Sequence, residues 1–194
     1  KKGDIIFHEG GIPQGVFCVK YGKIKLYKTG SEGKDQIISF AKDGDMIGYR
    51  SLLCNEKYHK SAACLDETVV CFVPKDRILK MVTENAALAM NIMQHACHEL
   101  GEASRIISNL AQKSITERVA EVLLILQANF GVDKQNIIQV ALSREDIANM
   151  VGTSTETVIR TLSKFQTDGL IELIGKQIKL INVTELSKAA GIEH

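Results

Sequence analysis

The sequence predicts an α+β fold in two parts, with short strands in the first and helices dominating the second. Three observations predict it. Nine of the fifteen glycines lie within the first 48 residues, and strand-like runs fill the gaps between them. After Pro74, the second of only two prolines, the apolar period lengthens from 2 to 3.6 and no strand signal returns for about sixty residues. From residue 139 onward the pattern reads strand, helix, turn, helix, hairpin. A length of 194 residues leaves room for two small cores, and 45% apolar with 24% charged residues is an ordinary globular composition.

The strand-like runs are Ile5-Ile6-Phe7, Val16-Phe17-Cys18-Val19, Lys23-Ile24-Lys25-Leu26-Tyr27, Gln36-Ile37-Ile38-Ser39-Phe40 and Thr68-Val69-Val70-Cys71-Phe72-Val73. Short strands separated by turns at this spacing predict a sandwich or barrel. From residue 86 a heptad pattern begins. Ala86, Met93, Leu100 and Ile107 take one core position, and Ala89, Ala96, Ala103 and Leu110 take the other. An apolar residue at every core position predicts a partner helix, with the interface on Met93, Ala96, Leu100, Ala103, Ile107 and Leu110; packing on the chain's own domain is the plainer alternative. A further helix over Ile115 to Phe130 has an apolar face of Val119, Val122, Leu123 and Leu126 and ends near Gly131.

In the stretch from residue 139 to 181, Ser143 with Asp146 forms a capping-box pattern that opens a short helix through Ile147 and Met150, and Gly152 breaks it. Thr153 with Glu156 repeats the pattern and opens a helix expected to reach about Thr167, stopped by Gly169. Val158, Leu162 and Phe165 share one face of this second helix, while Glu156, Arg160, Ser163 and Thr167 share the other. A short helix, a Gly-containing turn and a helix with one apolar face make a helix-turn-helix, whose second helix enters the DNA major groove. Arg160 can donate to guanine O6 and N7, and Glu156 can accept from cytosine N4. On spacing alone, an ion pair between the two on a solvated face is an equal reading. Leu170 to Leu173 and Gln177 to Ile181 flank Ile174-Gly175-Lys176 as a hairpin, or wing, and Lys164, Lys176 and Lys179 are candidates for phosphate contacts.

Ser143-Arg144-Glu145-Asp146-Ile147-Ala148-Asn149-Met150-Val151-Gly152, then Glu156-Thr157-Val158-Ile159-Arg160, then Phe165-Gln166-Thr167-Asp168-Gly169-Leu170, closely resembles the winged-helix domain of the CRP/FNR family of bacterial transcription regulators. Gly22-Lys23-Ile24-Lys25-Leu26-Tyr27 and Gly44-Asp45-Met46-Ile47-Gly48 resemble that family's cyclic-nucleotide-binding-type β-roll, and the heptad helix falls where its dimerisation helix lies. The resemblance implies an N-terminal β-roll, jelly-roll-like, over residues 1–84, a long dimerisation helix over 85–112 and a C-terminal winged helix-turn-helix over 113–194. It implies DNA contacts from Ser143, Thr155, Glu156, Ile159, Arg160, Ser163, Lys164 and Lys176. Ile159 stands where FNR-type members have Ser, and Thr155 where CRP-type members have Arg, so the half-site does not transfer.

In the cyclic-AMP-binding members that the chain resembles, a Glu follows the glycine matching Gly48, an Arg-Ser pair holds the phosphate, and a Thr-Ser pair meets the adenine. Here Tyr49, Lys60-Ser61 and Ala103-Ser104 occupy these places. Lys is a point charge and does not replace a bidentate Arg. Cyclic AMP is therefore not expected, and the effector is unknown; Tyr49, Arg50, Lys60, Ser61 and Ser104 are its expected contacts. Cys71 lies where FNR-type members place the distant fourth ligand of an iron-sulfur cluster, whose other three ligands would lie upstream of these residues; Cys18, Cys54, Cys64 and Cys97 show no CxxC spacing, so an iron-sulfur cluster or haem stays open without support from the residues present. His95, Cys97 and His98 would need a further ligand to hold a metal or haem, so no metal site is predicted.

Lys and Arg total 24 against 23 Asp and Glu, and residues 133–194 alone carry 7 basic and 8 acidic side chains. Bulk charge thus does not advertise nucleic-acid binding, and any specificity must come from a few placed side chains. No HExxH, Walker A or GxGxxG pattern occurs, so an enzyme is not expected. The expected function is a homodimeric, sequence-specific regulator of transcription, controlled by an effector sensed in the N-terminal domain. Its expected partners are a palindromic double-stranded operator, a second copy of the chain and, by resemblance, RNA polymerase. The alternative is a ligand-binding regulatory module that acts on a protein partner without DNA. Five cysteines and no visible export signal or membrane span place it in the cytoplasm, and an opening Lys1 in place of Met suggests residues upstream.

Overall fold

The computed structural model describes residues 1–30, 33 and 35–192. The chain divides into two compact units, Lys1–Gly33 with Ile37–Ile106, and Lys34–Gln36 with Ile107–His194.

In the first unit, strands β1 (Ile5–Phe7), β2 (Gly15–Tyr21), β3 (Ile24–Thr29), β4 (Asp35–Ala41), β5 (Met46–Ile47), β6 (Ser61–Cys64) and β7 (Val69–Pro74) form two sheets, ordered β1-β6-β3-β4 and β5-β2-β7. Phe7, Val19, Ile24, Leu26, Ala41, Ile47, Tyr58 and Ala62 pack as one core, with the Phe7 and Tyr58 rings stacked 4.0 Å apart. Burying each large apolar side chain contributes roughly 1.5–3 kcal/mol. Strand β6 is buried along its whole length, yet Ser-Ala-Ala-Cys carries almost no β-propensity, so burial between β1 and β3 makes it a strand where sequence alone does not. Helix α1 (Tyr49–Leu53) follows Gly48, whose φ of 83° favours glycine; a Cβ there would also lie 3.2 Å from the Tyr58 ring. Val16, Tyr49, Leu52 and Ile78 form a second core beneath α1 and α2 (Lys75–Glu84).

Helix α3 (Ala86–Gln112) runs for 27 residues without one buried side chain. Met90, Met93, Leu100 and Ile107 are 52%, 57%, 69% and 68% exposed, and Cys97 and Ser104 lie exposed between them. The exposed stripe is therefore Met90, Met93, Cys97, Leu100, Ser104 and Ile107. In the second column predicted from sequence, Ala103 and Leu110 are exposed but Ala96 is half-buried. Ala96 packs with Ile92 against the core of Val16, Tyr49, Leu52 and Ile78, because that side of the helix rests on its own domain.

The second unit contains α4 (Ile115–Phe130), α5 (Arg144–Val151), α6 (Thr155–Thr167), β8 (Ile171–Ile174), β9 (Gln177–Leu180) and α7 (Val183–Ala189). Ser114 and Glu117 close a reciprocal capping box at the start of α4, and Gly131 ends the helix with φ 72°. Val119, Leu123, Leu126, Ile147, Val158, Leu162, Phe165, Leu180 and Leu186 meet in a core in which none is more than 2% exposed. The strand expected from residue 139 does not form; Val132–Ile138 and Ile137–Lys179 make isolated bridges instead. Beside this core the Glu121 carboxylate, 6% exposed, accepts from Asn109 Nδ2 at 2.7 and 2.9 Å and pairs with Lys113 Nζ at 3.2 Å.

Candidate nucleic-acid interface and sensor pocket

Helix α5 starts at Ser143, whose Oγ accepts from the Asp146 N–H at 2.9 Å while the Ser143 N–H donates to Asp146 Oδ2 at 3.1 Å. That hydroxyl also donates to Asp146 Oδ2 at 2.7 Å, so Ser143 serves as the cap and its side chain is committed there. Gly152 ends α5 in the left-handed region at φ 71°, and its N–H donates to the Ala148 carbonyl. Helix α6 begins one residue later than Thr153 suggested: Ser154 is the cap, accepting from the Thr157 N–H at 3.2 Å.

On α6, Val158, Thr161, Leu162 and Phe165 are buried, and Glu156, Ile159, Arg160, Ser163, Lys164 and Thr167 are exposed, with Thr155 half-buried. Packing of the first set fixes the orientation of the second. Hydrogen bonds from its own amide and from the Ser154 hydroxyl hold the Glu156 carboxyl below the usual carboxylate range, so it is an acceptor at neutral pH. Glu156 and Arg160 form no ion pair with each other. The salt-bridge alternative raised by their spacing is thereby set aside, and the guanidinium of Arg160 projects from an exposed face.

Strands β8 and β9 pair from Ile171↔Leu180 to Ile174↔Gln177, leaving Gly175-Lys176 as a two-residue tip with Gly175 at φ 60°. Lys176 and Lys164 are exposed, whereas Lys179 pairs with Glu172 at 2.9 Å on the wing itself. The wing has one tie that sequence reasoning missed: Arg144 Nη2 donates to the Gly175 carbonyl at 3.0 Å. A cation in the first turn of a helix, where the dipole disfavours it, was the available signal.

In the first unit a small, open pocket of about 60 Å³ is lined by Phe7, Leu26, Ile47, Tyr49, Arg50, Tyr58, His59, Lys60 and Glu99 among others. Tyr49, Arg50 and Lys60 thus come together as expected contacts, but Ser61 and Ser104 do not line it. Ser61 is buried and its Oγ accepts from the Glu9 N–H at 2.9 Å; Ser104 is exposed and donates to the Leu100 carbonyl. Tyr49 Oη donates to Glu99 Oε2 at 2.8 Å and lies 3.0 Å from His95 Nδ1. Burial, then the Glu99 hydrogen bond, raises the Tyr49 pKa well above its ordinary value, so the phenol stays protonated. Burial lowers the Lys60 pKa, and the attraction of the Glu99 carboxylate offsets only part of that fall.

Among the described residues no group of three or more His, Cys, Asp and Glu side chains could hold a metal ion. Of the candidate ligands, His95 is engaged by Tyr49, with Nδ1 3.0 Å from the phenol oxygen, and Cys71 is exposed. No helix among the described residues is long and apolar enough to cross a membrane.

A two-sheet β-roll, a long helix with an exposed apolar stripe and a winged helix-turn-helix define a DNA-binding transcription regulator rather than an enzyme. Residues 1–85 match the cyclic nucleotide-binding domain, and residues 117–189 match the Crp-like helix-turn-helix domain. The chain is 31% identical over 194 residues to transcriptional activator protein anr of Pseudomonas aeruginosa, covering 98% of this chain and 79% of that protein. It is likewise 31% identical to electron transport regulator A of Shewanella oneidensis, covering 98% and 77%. The solved structure of FixK2 from Bradyrhizobium japonicum matches with a TM-score of 0.86 at 28% identity, over 97% of this chain and 93% of that one. The chain belongs to the CRP/FNR family.

Proposed function

We propose that the protein acts in the cytoplasm as a homodimer that reads a palindromic operator through α6, with Glu156 and Arg160 as its principal base-contacting residues. The carrying observation is that these two side chains lie one turn apart on the exposed face of a helix whose other face is locked into the core, with no ion pair between them. Arg160 would donate to a guanine, and Glu156 would accept from a cytosine amino group. Thr155, Ile159 and Ser163 flank them, and Lys164 and Lys176 supply phosphate contacts without sequence preference. Two copies joined along the α3 stripe would present two recognition helices about 34 Å apart, matching half-sites one helical turn apart. RNA polymerase as a further partner rests on relatives that are named transcriptional activators.

The Tyr49–Arg50–Lys60 pocket is read as the effector site, closed to cyclic AMP because the Tyr49 phenol is already spent on Glu99 and His95. Calorimetric titration with cyclic AMP should release no binding heat.

The decisive experiment selects bound duplexes from a random pool and then compares wild type with Arg160→Ala on the enriched sequence. A palindrome should be enriched, and the variant should lose about 1–3 kcal/mol of specific binding while still dimerising. Enrichment of no palindrome, or unchanged affinity in the variant, refutes the reading.

A further inference from the structure

Helix α6 carries Val158, Leu162 and Phe165 in the core, none more than 2% exposed, whereas its remaining aliphatic side chain, Ile159, is 49% exposed. Ile159 shares the outward surface with Glu156, three residues before it, and Arg160, the next residue. In that place it contributes little to the fold, because an isoleucine stabilises by burial and its β-branch lowers helix propensity.

The hydroxyls around Ile159 are already engaged. Ser163 Oγ donates to the Ile159 carbonyl at 2.9 Å, and Thr167 Oγ1 donates to the Ser163 carbonyl at 3.1 Å. Ser154 Oγ accepts from the Thr157 amide and lies 3.0 Å from the Thr157 hydroxyl. Ser163 and Thr167 thus spend their hydroxyl hydrogens on the helix itself, which leaves Glu156 and Arg160 to read base edges by hydrogen bonds. Neither of those two charged groups distinguishes thymine by its methyl group. The thymine 5-methyl is the one methyl group that unmodified DNA presents in the major groove.

We propose that Ile159 reads a thymine 5-methyl group, which adds a thymine to the half-site beside the bases bound by Glu156 and Arg160. The inference rests on the function proposed above, since it needs α6 in the major groove. A β-branched side chain on a helix keeps largely to one χ1 rotamer, so the Ile159 methyl surface is set in place before DNA arrives and loses little freedom on contact. Contact then removes the thymine methyl and the facing side of Ile159 from water. Cytosine at the same position lacks the methyl and presents its N4 amino group, a donor that isoleucine cannot satisfy. The same side chain therefore favours thymine and disfavours cytosine, whereas a hydroxyl residue there would accept either.

The test uses the full chain and the duplex enriched from the random pool. Deoxyuridine replaces thymine at one position of one half-site at a time, which removes the methyl and leaves base pairing intact. At one position the affinity should fall about four-fold, as expected for one methyl group taken out of apolar contact. Ile159→Ser should bind the thymine and deoxyuridine duplexes equally, and Ile159→Val should keep most of the preference. Arg160→Ala should weaken both duplexes and leave their ratio unchanged. With cytosine and then 5-methylcytosine at the same position, the methylated base should bind more tightly to the wild type by a similar factor, and Ile159→Ser should abolish that difference. A half-site in which no thymine responds to deoxyuridine, or a response that persists in Ile159→Ser, overturns the methyl reading while the roles of Glu156 and Arg160 stand on their own test. A protein that enriches no duplex overturns both.

Discussion

Arg144 Nη2 and the Gly175 carbonyl, 3.0 Å apart, tie the first turn of α5 to the tip of the wing. The other terminal nitrogen, Nη1, is buried without a partner, so the guanidinium is held at the cost of one unmade hydrogen bond. Arg144→Ala should lower stability by about 1–2 kcal/mol in thermal denaturation and weaken DNA binding by loosening the wing. Lysine has no planar fork and should not restore the contact.

The stripe on α3 gives a prediction about association. Met93→Asp or Leu100→Asp should convert a dimer to a monomer in analytical ultracentrifugation, because either carboxylate would be buried unpaired at the seam. In the register seen here Cys97 lies on that stripe and Ala96 does not. A short bis-maleimide should therefore cross-link two chains through Cys97; a dimer that forms without this cross-link would refute the register.

Glu121 is buried beside Lys113 and Asn109, and Lys113 Nζ also donates to the Ala190 carbonyl at 2.9 Å. Removing the cation leaves a buried carboxylate with weaker compensation. Lys113→Met should cost about 3 kcal/mol in denaturant unfolding, and adding Glu121→Gln should recover much of that loss. Equal additive losses would show that the two do not interact.

Glu117 and Glu156 sit at the starts of α4 and α6, with carboxyls held below their ordinary value by hydrogen bonds to Ser114 and, for Glu156, its own amide and Ser154. A carboxyl lowered in the folded state stabilises it above the unfolded value of about 4.3, and that contribution is lost as pH falls through the folded value. Amide exchange in the first turns of both helices should therefore be flat from pH 7 to about 5, after correction for intrinsic rates, and quicken below about 4. Glu117→Gln should flatten the effect in α4 alone.

The elements that sequence revealed are those whose causes lie within a few residues. Ser143 and Asp146 cap α5, Gly152 ends it, and the period of Val158, Leu162 and Phe165 turns the other face of α6 outward. Strand β6 was missed because its conformation comes from its neighbours, and α7 because its seven residues carry little periodicity. The choice between Thr153 and Ser154 as cap, one residue apart, was decided by which hydroxyl the folded turn presents to the Thr157 amide.

By itself the sequence determined a β-rich first half, a long heptad helix and a helix-turn-helix with Glu156 and Arg160 on one face, because caps, turns and periods are local. Only the tertiary structure decided that Ser61 is spent on Glu9, that Ala96 faces its own domain and that Arg144 holds the wing. Each of these joins residues far apart in the chain, and such pairings are set by strand register and packing, which no short window of sequence encodes.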